Sequence, residues 1–517
     1  MFRHWRSLIA AAALFAGVQV YASEGHDHDH GQVDLGKLGK VTFETSCSAA
    51  VKDEFSRAVA MMHSFWYVEA EKAFNRIAQA DPQCAMAQWG IAMSNYHPLW
   101  APPNAAELQR GRDAAAKAAA LGGATQRERD YIAAVNAFYA DAATTPHMSR
   151  ATAYAKAMSD VAAKYASDRE ASIFYALSLL GTAVASDKTY AKQKEAAGIL
   201  SRILPMEPEH PGVAHYIIHS YDYPPLAPMA LAAARTYAKI APGSPHALHM
   251  PSHIFTRLGL WEESIASNTA SAEKAHSYIS QLKPGAAAFD ELHAIDYLVY
   301  AHLQRGDIAA AKALVDKAAQ VDARNVDNLN FAAAYSLSSV PARFALERRE
   351  WAEAARLPVT QNVDWKAYPY AESNTHFARA IGAARSGDLN TAKAAIDRLA
   401  EIRGVLQAAK DSYWTEQLDI QRVAGLAWLA HAAGLKEEAQ RLMRSAADRE
   451  DLTEKHPVTP GPVIPARELL ADMLLEDGDS AGALTEIKRA LEVSPGRRNA
   501  MMISEKAGKA STQVVTR

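Results

Sequence analysis

The sequence has little cysteine, no strong charge bias and few segments that favour strands. Only two of its 517 residues are cysteine, and 55 Lys and Arg nearly balance 58 Asp and Glu, for a formal net charge of −3. No stripe of Lys and Arg stands out along the chain. Because nucleic-acid binding needs a concentrated positive surface, we expect no nucleic-acid partner.

Several motifs that carry chemistry are also missing. The chain has no Walker A loop, no G-x-G-x-x-G after a strand, no G-x-S-x-G elbow and no C-x-x-C pair. A nucleotide enzyme, a serine hydrolase and a thiol oxidoreductase are therefore poor interpretations. What is present is an ordinary globular balance, with 49% hydrophobic and 22% charged residues, rich in alanine. Alanine is the best helix former and lets helices pack closely.

The N-terminus has the pattern of an export signal. Arg3 and Arg6 precede an apolar run from Leu8 to Val20, and Ala22 offers a small residue at a cleavage position. The apolar run is short for a membrane span. We expect residues 1–22 to be a cleaved signal peptide, with an uncleaved anchor as the alternative, and no stable membrane span after cleavage. The protein would then be periplasmic or secreted.

Residues 23–45 form a polar segment that we expect to be flexible. It contains His26, His28 and His30 alternating with aspartates. Such a pattern can chelate Zn²⁺, Cu²⁺ or Ni²⁺ loosely, or can be a solvated tail without a specific role. Cys47 and Cys84 follow it, and an exported compartment permits a disulfide between them. The alternative is two free buried thiols.

From residue 50 a helical period dominates. The segment Glu69–Ala78 reads as an amphipathic helix that ends before Pro82, and comparable units recur along the chain. Gly306 illustrates the turn inside a unit, and a proline often closes its second helix. This pattern resembles tetratricopeptide repeats. We therefore predict an all-α, right-handed superhelical solenoid over residues 46–500, with a concave inner surface and a flexible tail over residues 501–517.

The chain also resembles one group of exported bacterial tetratricopeptide proteins. The segments that carry this resemblance are His246–His253, Asp296–Tyr300 and Lys455–Pro462. The resemblance implies export and the repeat fold, and it brings no activity with it.

The histidines are unevenly placed. Of 19 in the chain, nine lie between residues 210 and 302. The pairs His215/His219 and His249/His253 each have i, i+4 spacing, which puts both imidazoles of a pair on one helix face. Neither pair has the glutamate of H-E-x-x-H, so a metalloprotease is not indicated. Pro251 inside the second pair would kink that helix or mark its start.

The two pairs are separated by the tetratricopeptide period of about 34 residues. The resemblance to that repeat places them at equivalent positions of the first helix, which face the concave groove. By the same register, His246, His293 and Asp296 also face the concave groove. The predicted metal ligands are then His215, His219, His246, His249, His253, His293 and Asp296. Such a set suits a divalent transition metal, zinc or copper.

Three other side chains are candidates for the groove. Glu291 and Tyr300 would lie near the histidines, and Arg343 would neutralise an anionic ligand. Each also has a purely structural interpretation. The leading hypothesis is an exported repeat scaffold that binds a protein, peptide or small ligand in its groove and carries a His-rich metal site. The alternatives are a metal-dependent enzyme, either a hydrolase or an oxidant-handling protein, and metal storage or delivery.

Overall fold

A computed structural model describes residues 34–515, with side chains described through residue 509. The predicted signal peptide and residues 23–33 of the His/Asp segment lie outside these residues. The described helices are α1 (Lys52–His63), α2 (Tyr67–Ala80), α3 (Ala85–Tyr96), α4 (Ala105–Leu121), α5 (Gln126–Tyr139), α6 (His147–Lys164), α7 (Arg169–Gly181), α8 (Ala191–Ile203), α9 (Pro211–Tyr221), α10 (Leu231–Ile240), α11 (Pro245–His249) and α12 (Pro251–Arg257). The second half contains α13 (Trp261–Leu282), α14 (Phe289–Arg305), α15 (Ile308–Ala319), α16 (Phe331–Glu347), α17 (Trp351–Ala354), α18 (Pro369–Arg385), α19 (Leu389–Ala408), α20 (Ser412–Ala432), α21 (Lys436–Asp451), α22 (Ala466–Glu476), α23 (Ser480–Val493) and α24 (Arg498–Val515).

The fold is an all-α solenoid of helix pairs, as the repeat pattern predicts. Each helix packs on the next, and the first helices of successive units (α14, α16, α18 and α20) also pack side by side. Short 3₁₀ turns lie at Ala49–Val51, Ala227–Ala230 and Ala323–Asn325. Two residue pairs, β1 (Ala287–Ala288) and β2 (Val326–Asp327), form a parallel ladder. No helix of the described residues is both long and apolar enough to cross a membrane.

Small residues sit where the helices cross or turn. A Cβ on Gly90 of α3 would lie 2.4 Å from the Phe74 ring of α2, so only glycine allows this approach. Gly306 ends α14 with φ +81°, a left-handed conformation that favours glycine and reverses the chain into α15. These positions set the spacing of the two helix layers.

The ends of the repeat array differ from the sequence expectation. Leu38 and Phe43 are buried, and the backbone N–H of Lys40 donates to the Glu209 carbonyl at 2.9 Å. The segment from residue 35 to 45, which we expected to be flexible, is therefore packed on the repeats. The tail expected from residue 501 begins inside α24, where Ile503 is buried. Apolar side chains at helical spacing explain this continuation. A disulfide joins Cys47 to Cys84 at the N-terminal edge.

A buried ionic cluster ties the last units to the middle of the array. Arg497, only 1% exposed, pairs with Glu468 at 2.5 Å and Glu347 at 2.7 Å, and donates to the Tyr300 hydroxyl at 3.0 Å. Both carboxylates are equally buried. Removing one member of such a cluster leaves an uncompensated charge in the interior.

Candidate metal centre

Six histidines from three neighbouring inner segments converge on one region. They come from α9, from α11–α12 and from α14, and five are buried while His219 is half-buried. They form two groups of three, and within each group the three ligand nitrogens lie within 4.8 Å of one another. We call them cluster A (His215, His219 and His246) and cluster B (His249, His253 and His293).

The two clusters adjoin each other. The ring centroids of His246 and His249 are 6.1 Å apart, and those of His219 and His253 are 6.3 Å apart. Met250 separates α11 from α12 but keeps helical dihedrals (φ −54°, ψ −35°). The break before Pro251 therefore leaves His249 and His253 on one face, as their i, i+4 spacing predicts.

Two imidazoles of cluster B are oriented by hydrogen bonds at their outer nitrogen. His249 Nδ1 donates to Asn268 Oδ1 at 2.6 Å, and the Asn268 amide is itself fixed by donating to the Ser264 carbonyl at 2.8 Å. His253 Nδ1 donates to Asp222 Oδ2 at 2.9 Å. An imidazole whose Nδ1–H is bound to an oxygen in this way presents its Nε2 lone pair, which is the usual arrangement around metal-binding histidines.

These Nε2 lone pairs point at each other. The Nε2 atoms of His249 and His253 are 2.9 Å apart, and the Tyr297 hydroxyl, which also contacts two backbone carbonyls, lies 3.3 Å from His253 Nε2. Burial lowers the pKa of both groups, that of His249 well below its usual value, and so disfavours a second proton on either ring. Two facing lone pairs repel unless a cation lies between them. Two nitrogens on one tetrahedral ion are about 3.3 Å apart, close to the separation observed.

Cluster A also contains a histidine whose Nδ1–H is hydrogen-bonded to an oxygen. His215 Nδ1 donates to the His63 carbonyl at 2.7 Å, which leaves its Nε2 as an acceptor 3.2 Å from His246 Nε2. Burial lowers the pKa of His215 to about 3. His219 Nε2 and His246 Nδ1 have no hydrogen-bond partner among the described residues. Either a proton or a metal ion can bridge the His215 and His246 rings, so cluster A is less constrained than cluster B.

The clusters border a cavity of about 310 Å³. His219, His246, His253 and His293 form one side of its lining. The remaining wall is mostly apolar and aromatic: Phe65, Leu99, Trp100, Leu180, Phe331, Tyr413 and Val458. Pockets of this size and composition hold small molecules in many proteins.

Residues 452–465, between α21 and α22, cover the cavity, and we call them the strap. The Tyr297 hydroxyl lies 3.1 Å from the carbonyl oxygens of Pro457 and Thr459. Arg343 donates to the carbonyls of Pro462 at 2.8 Å and Gly461 at 3.1 Å. The strap therefore occupies the inner face at α14 and α16, where a tetratricopeptide groove would hold a partner.

The ends of the strap are pinned by Glu450, whose Oε2 accepts from the Ala466 N–H at 2.8 Å. Burial raises the pKa of Glu450 from 4.5 to about 8. The folded state therefore favours the protonated carboxyl of Glu450. The contribution of this group to the unfolding free energy is fully present below pH 4.5 and is lost as pH rises through about 8. We expect Glu450→Gln to match the wild type in unfolding free energy at pH 4.5 and to exceed it by about 1–3 kcal/mol at pH 8.

Urea denaturation at both pH values checks this expectation. Glu437→Gln, at an exposed position of the same helix, is the matched control and should show no such trend. A Glu450→Gln variant whose stability relative to the wild type is the same at both pH values would show that the carboxyl is ionised in the fold.

An ionic network lies behind the His253 imidazole. Asp222 pairs with Lys455 of the strap at 3.0 Å and with Arg257 at 2.9 Å. Burial alone would raise the pKa of Asp222, but Lys455 and Arg257 hold it well below its usual range. Asp222 is thus an ionised acceptor that keeps the His253 proton on Nδ1.

Three predicted site residues lie away from the clusters. Asp296 lies three residues after His293, which is about 60° short of a full helical turn. Its side chain therefore points towards α16, where it pairs with Arg343 at 3.3 Å. Glu291, two residues before His293, faces away and pairs with Lys317 at 2.5 Å. Tyr300 accepts from Arg497. Asp296 is therefore not among the clustered ligands, and Glu291 and Tyr300 do not line the cavity, whereas Arg343 lies on the inner face and binds the strap there.

Several residues that border the cavity or orient the histidines were not predicted from the sequence. The strap residues Lys455 and His456 line the cavity, and Asn268 and the His63 carbonyl orient histidines. No periodic signal places the Pro-rich strap on the inner helices. A further buried group, Glu170 with His63 and His210, lies beside cluster A. One Glu170 oxygen is hydrogen-bonded to His63 and the other to His210, so the hydrogen bonds of this carboxylate are made within the group.

Comparison with known proteins found only distant similarity to solved structures. No family profile and no curated protein matches the chain. The Cut9–Hcn1 hetero-tetramer of the APC/C is 12% identical over 90% of this chain and 78% of that one, with a TM-score of 0.37. The P58(IPK) TPR domain is 11% identical over 91% of this chain and 100% of that one, with a TM-score of 0.20. A STAND ATPase with a tetratricopeptide sensor from Pyrococcus horikoshii is 10% identical (86% and 64% covered, TM-score 0.30), so the chain spans less than two thirds of it. At these identities and TM-scores no partner or activity carries over.

Proposed function

We propose that the protein is a metalloprotein whose clusters A and B each bind one divalent transition-metal ion, zinc or copper, beside a small-molecule cavity. The observation that carries this proposal is the pair of Nε2 lone pairs of His249 and His253, fixed 2.9 Å apart by outer hydrogen bonds to Asn268 and Asp222. Such an arrangement is costly without a cation and ordinary with one.

The donor set supports the choice of metal. All six candidate ligands are imidazoles, and no thiolate is offered because both cysteines are in the disulfide. Neutral imidazole suits zinc, copper, iron and nickel, and copper is bound most tightly in the usual series of divalent ions. Three protein ligands per ion leave a coordination position open, and His219, His246, His253 and His293 face the cavity.

An open position indicates a site that binds or acts on a small molecule, whereas structural zinc sites have four protein ligands. A metal-dependent enzyme therefore fits the geometry better than a structural ion does. An ion at this place would polarise a bound ligand or lower the pKa of a bound water. Metal storage or delivery would instead predict ready loss of the ions to a chelator without any ligand in the cavity.

Export and a protein partner belong to the same proposal. The disulfide between Cys47 and Cys84 supports an oxidising compartment, the periplasm or the exterior. The strap fills the inner face at α14 and α16, so a protein or peptide partner would use the rest of the solenoid surface.

Metal titration tests the proposal. Protein stripped with a chelator is expected to bind two equivalents of Zn²⁺, and saturation at 100 times the dissociation constant should add about 2.7 kcal/mol per site to the unfolding free energy, about 5.4 kcal/mol for both sites. A variant with His276→Ala and His302→Ala, both outside the clusters, should bind equally well. A wild-type protein that binds no Zn²⁺ or Cu²⁺ in isothermal titration and gains no stability would overturn the proposal.

A further inference from the structure

The charge around the clusters constrains what completes the coordination. The six imidazoles bring no negative charge to the ions. Of the carboxylates that line the cavity, Asp222 is paired with Lys455 and Arg257, and Glu454 is paired with Lys188 at 2.6 Å. The protein therefore leaves the charge of a bound ion uncompensated. Since unpaired charge in a buried site is unfavourable, the open position favours a ligand with an anionic oxygen.

The cavity wall next to cluster A is aromatic, with the Trp100 ring 5.3 Å from His246 and the Phe65 ring 5.5 Å from it. The Trp100 ring lies 5.5 Å from Phe331 and 6.0 Å from Phe65, both in edge-to-face geometry. An engineered cavity of about 150 Å³ binds benzene. A volume of about 310 Å³ therefore holds one aromatic ring with its substituents.

The strap adds an imidazole to the cavity lining. His456 Nδ1 accepts from the Val458 N–H at 3.1 Å, so the proton of the neutral ring is on Nε2. The ring is held between Trp414, at 5.2 Å, and Phe331, at 6.2 Å. His456 thus adds a neutral N–H donor to the cavity lining, next to Lys455, whose ammonium group is paired with Asp222.

We infer that the cavity binds a small single-ring aromatic oxyanion, a phenolate or an aromatic carboxylate. Its oxygen completes the coordination of a cluster ion, its ring packs against Trp100 and Phe331, and His456 Nε2 donates to it. This inference rests on the proposed metal centre.

Calorimetric titration of the zinc-loaded full chain with benzoate and with catechol tests the inference, with cyclohexanecarboxylate as the non-aromatic control. Benzoate or catechol is expected to bind at least about tenfold more tightly than the control, and the tighter of the two identifies the oxyanion. Trp100→Leu should weaken that ligand about three- to tenfold at unchanged zinc content. Trp365→Leu, outside the cavity, should leave its affinity unchanged.

The outcomes separate the two claims because zinc is measured on the same samples. Two bound zinc ions without tighter binding of either aromatic ligand would overturn the inference and leave the metal centre standing. Absence of zinc would overturn both. Equal binding of benzoate to the zinc-loaded and stripped protein would show that no ion takes part, and would also contradict the inference.

Discussion

Replacing His249 and His253 together by alanine is expected to remove one of two metal ions from each chain. The change deletes two of three ligands of cluster B, and a single remaining imidazole holds an ion at least about 100-fold more weakly. Cluster A keeps its three ligands, so one equivalent should remain in elemental analysis. The paired variant His215→Ala/His246→Ala is expected to give the reciprocal loss. Unchanged stoichiometry in both double variants would contradict the assignment.

A subtler variant separates metal binding from folding. Asn268→Ala changes no ligand but removes the oxygen that holds the His249 Nδ1–H. We expect metal affinity at cluster B to fall about 10- to 100-fold, as is typical when such a partner is lost. Circular dichroism of the stripped variant should show intact helices. Loss of helix without metal would point to a structural role for this contact.

Arg497→Met is expected to lower the free energy of unfolding by about 3–5 kcal/mol. Arg497 is the only cation that the structure gives to both Glu347 and Glu468 within the described residues, and all three side chains are at most 2% exposed. Its removal leaves two buried carboxylates facing each other. Denaturation with urea measures the loss, and Arg489→Met, at an exposed position, is the control.

Charge compensation distinguishes this cause from lost packing. The triple variant Arg497→Met/Glu347→Gln/Glu468→Gln removes the carboxylate charges as well and should recover most of the stability, because a neutral replacement of a buried ion cluster is often tolerated. A triple variant as unstable as Arg497→Met would show that the guanidinium acts by shape and not by charge.

The repeat period accounts for the part of the site that the sequence predicts. His215 and His249 are one repeat apart, as are His219 and His253, and stacking of equivalent helices brings all four together. His246 and His293 follow from the same register. Periodicity carries this information because neighbouring units superpose along the array.

The rest of the site could not be read from periodicity. Asp296 shares the register of His293, but one step of about 60° around α14 turns it to Arg343. The strap lies outside the repeat pattern, so nothing in its sequence places Lys455 against Asp222, 233 residues earlier. Contacts of this kind depend on the three-dimensional path of an irregular segment.

Crystallographic location of the metal tests the central claim most directly. Crystals of the full chain loaded with Zn²⁺, measured above and below the zinc absorption edge, are expected to show two anomalous peaks. One should lie about 2.0–2.1 Å from Nε2 of His249 and His253, and the other at the same distance from a nitrogen of His215 and His246. Fully loaded crystals with no peak at either cluster, or with peaks only elsewhere on the chain, would contradict the account.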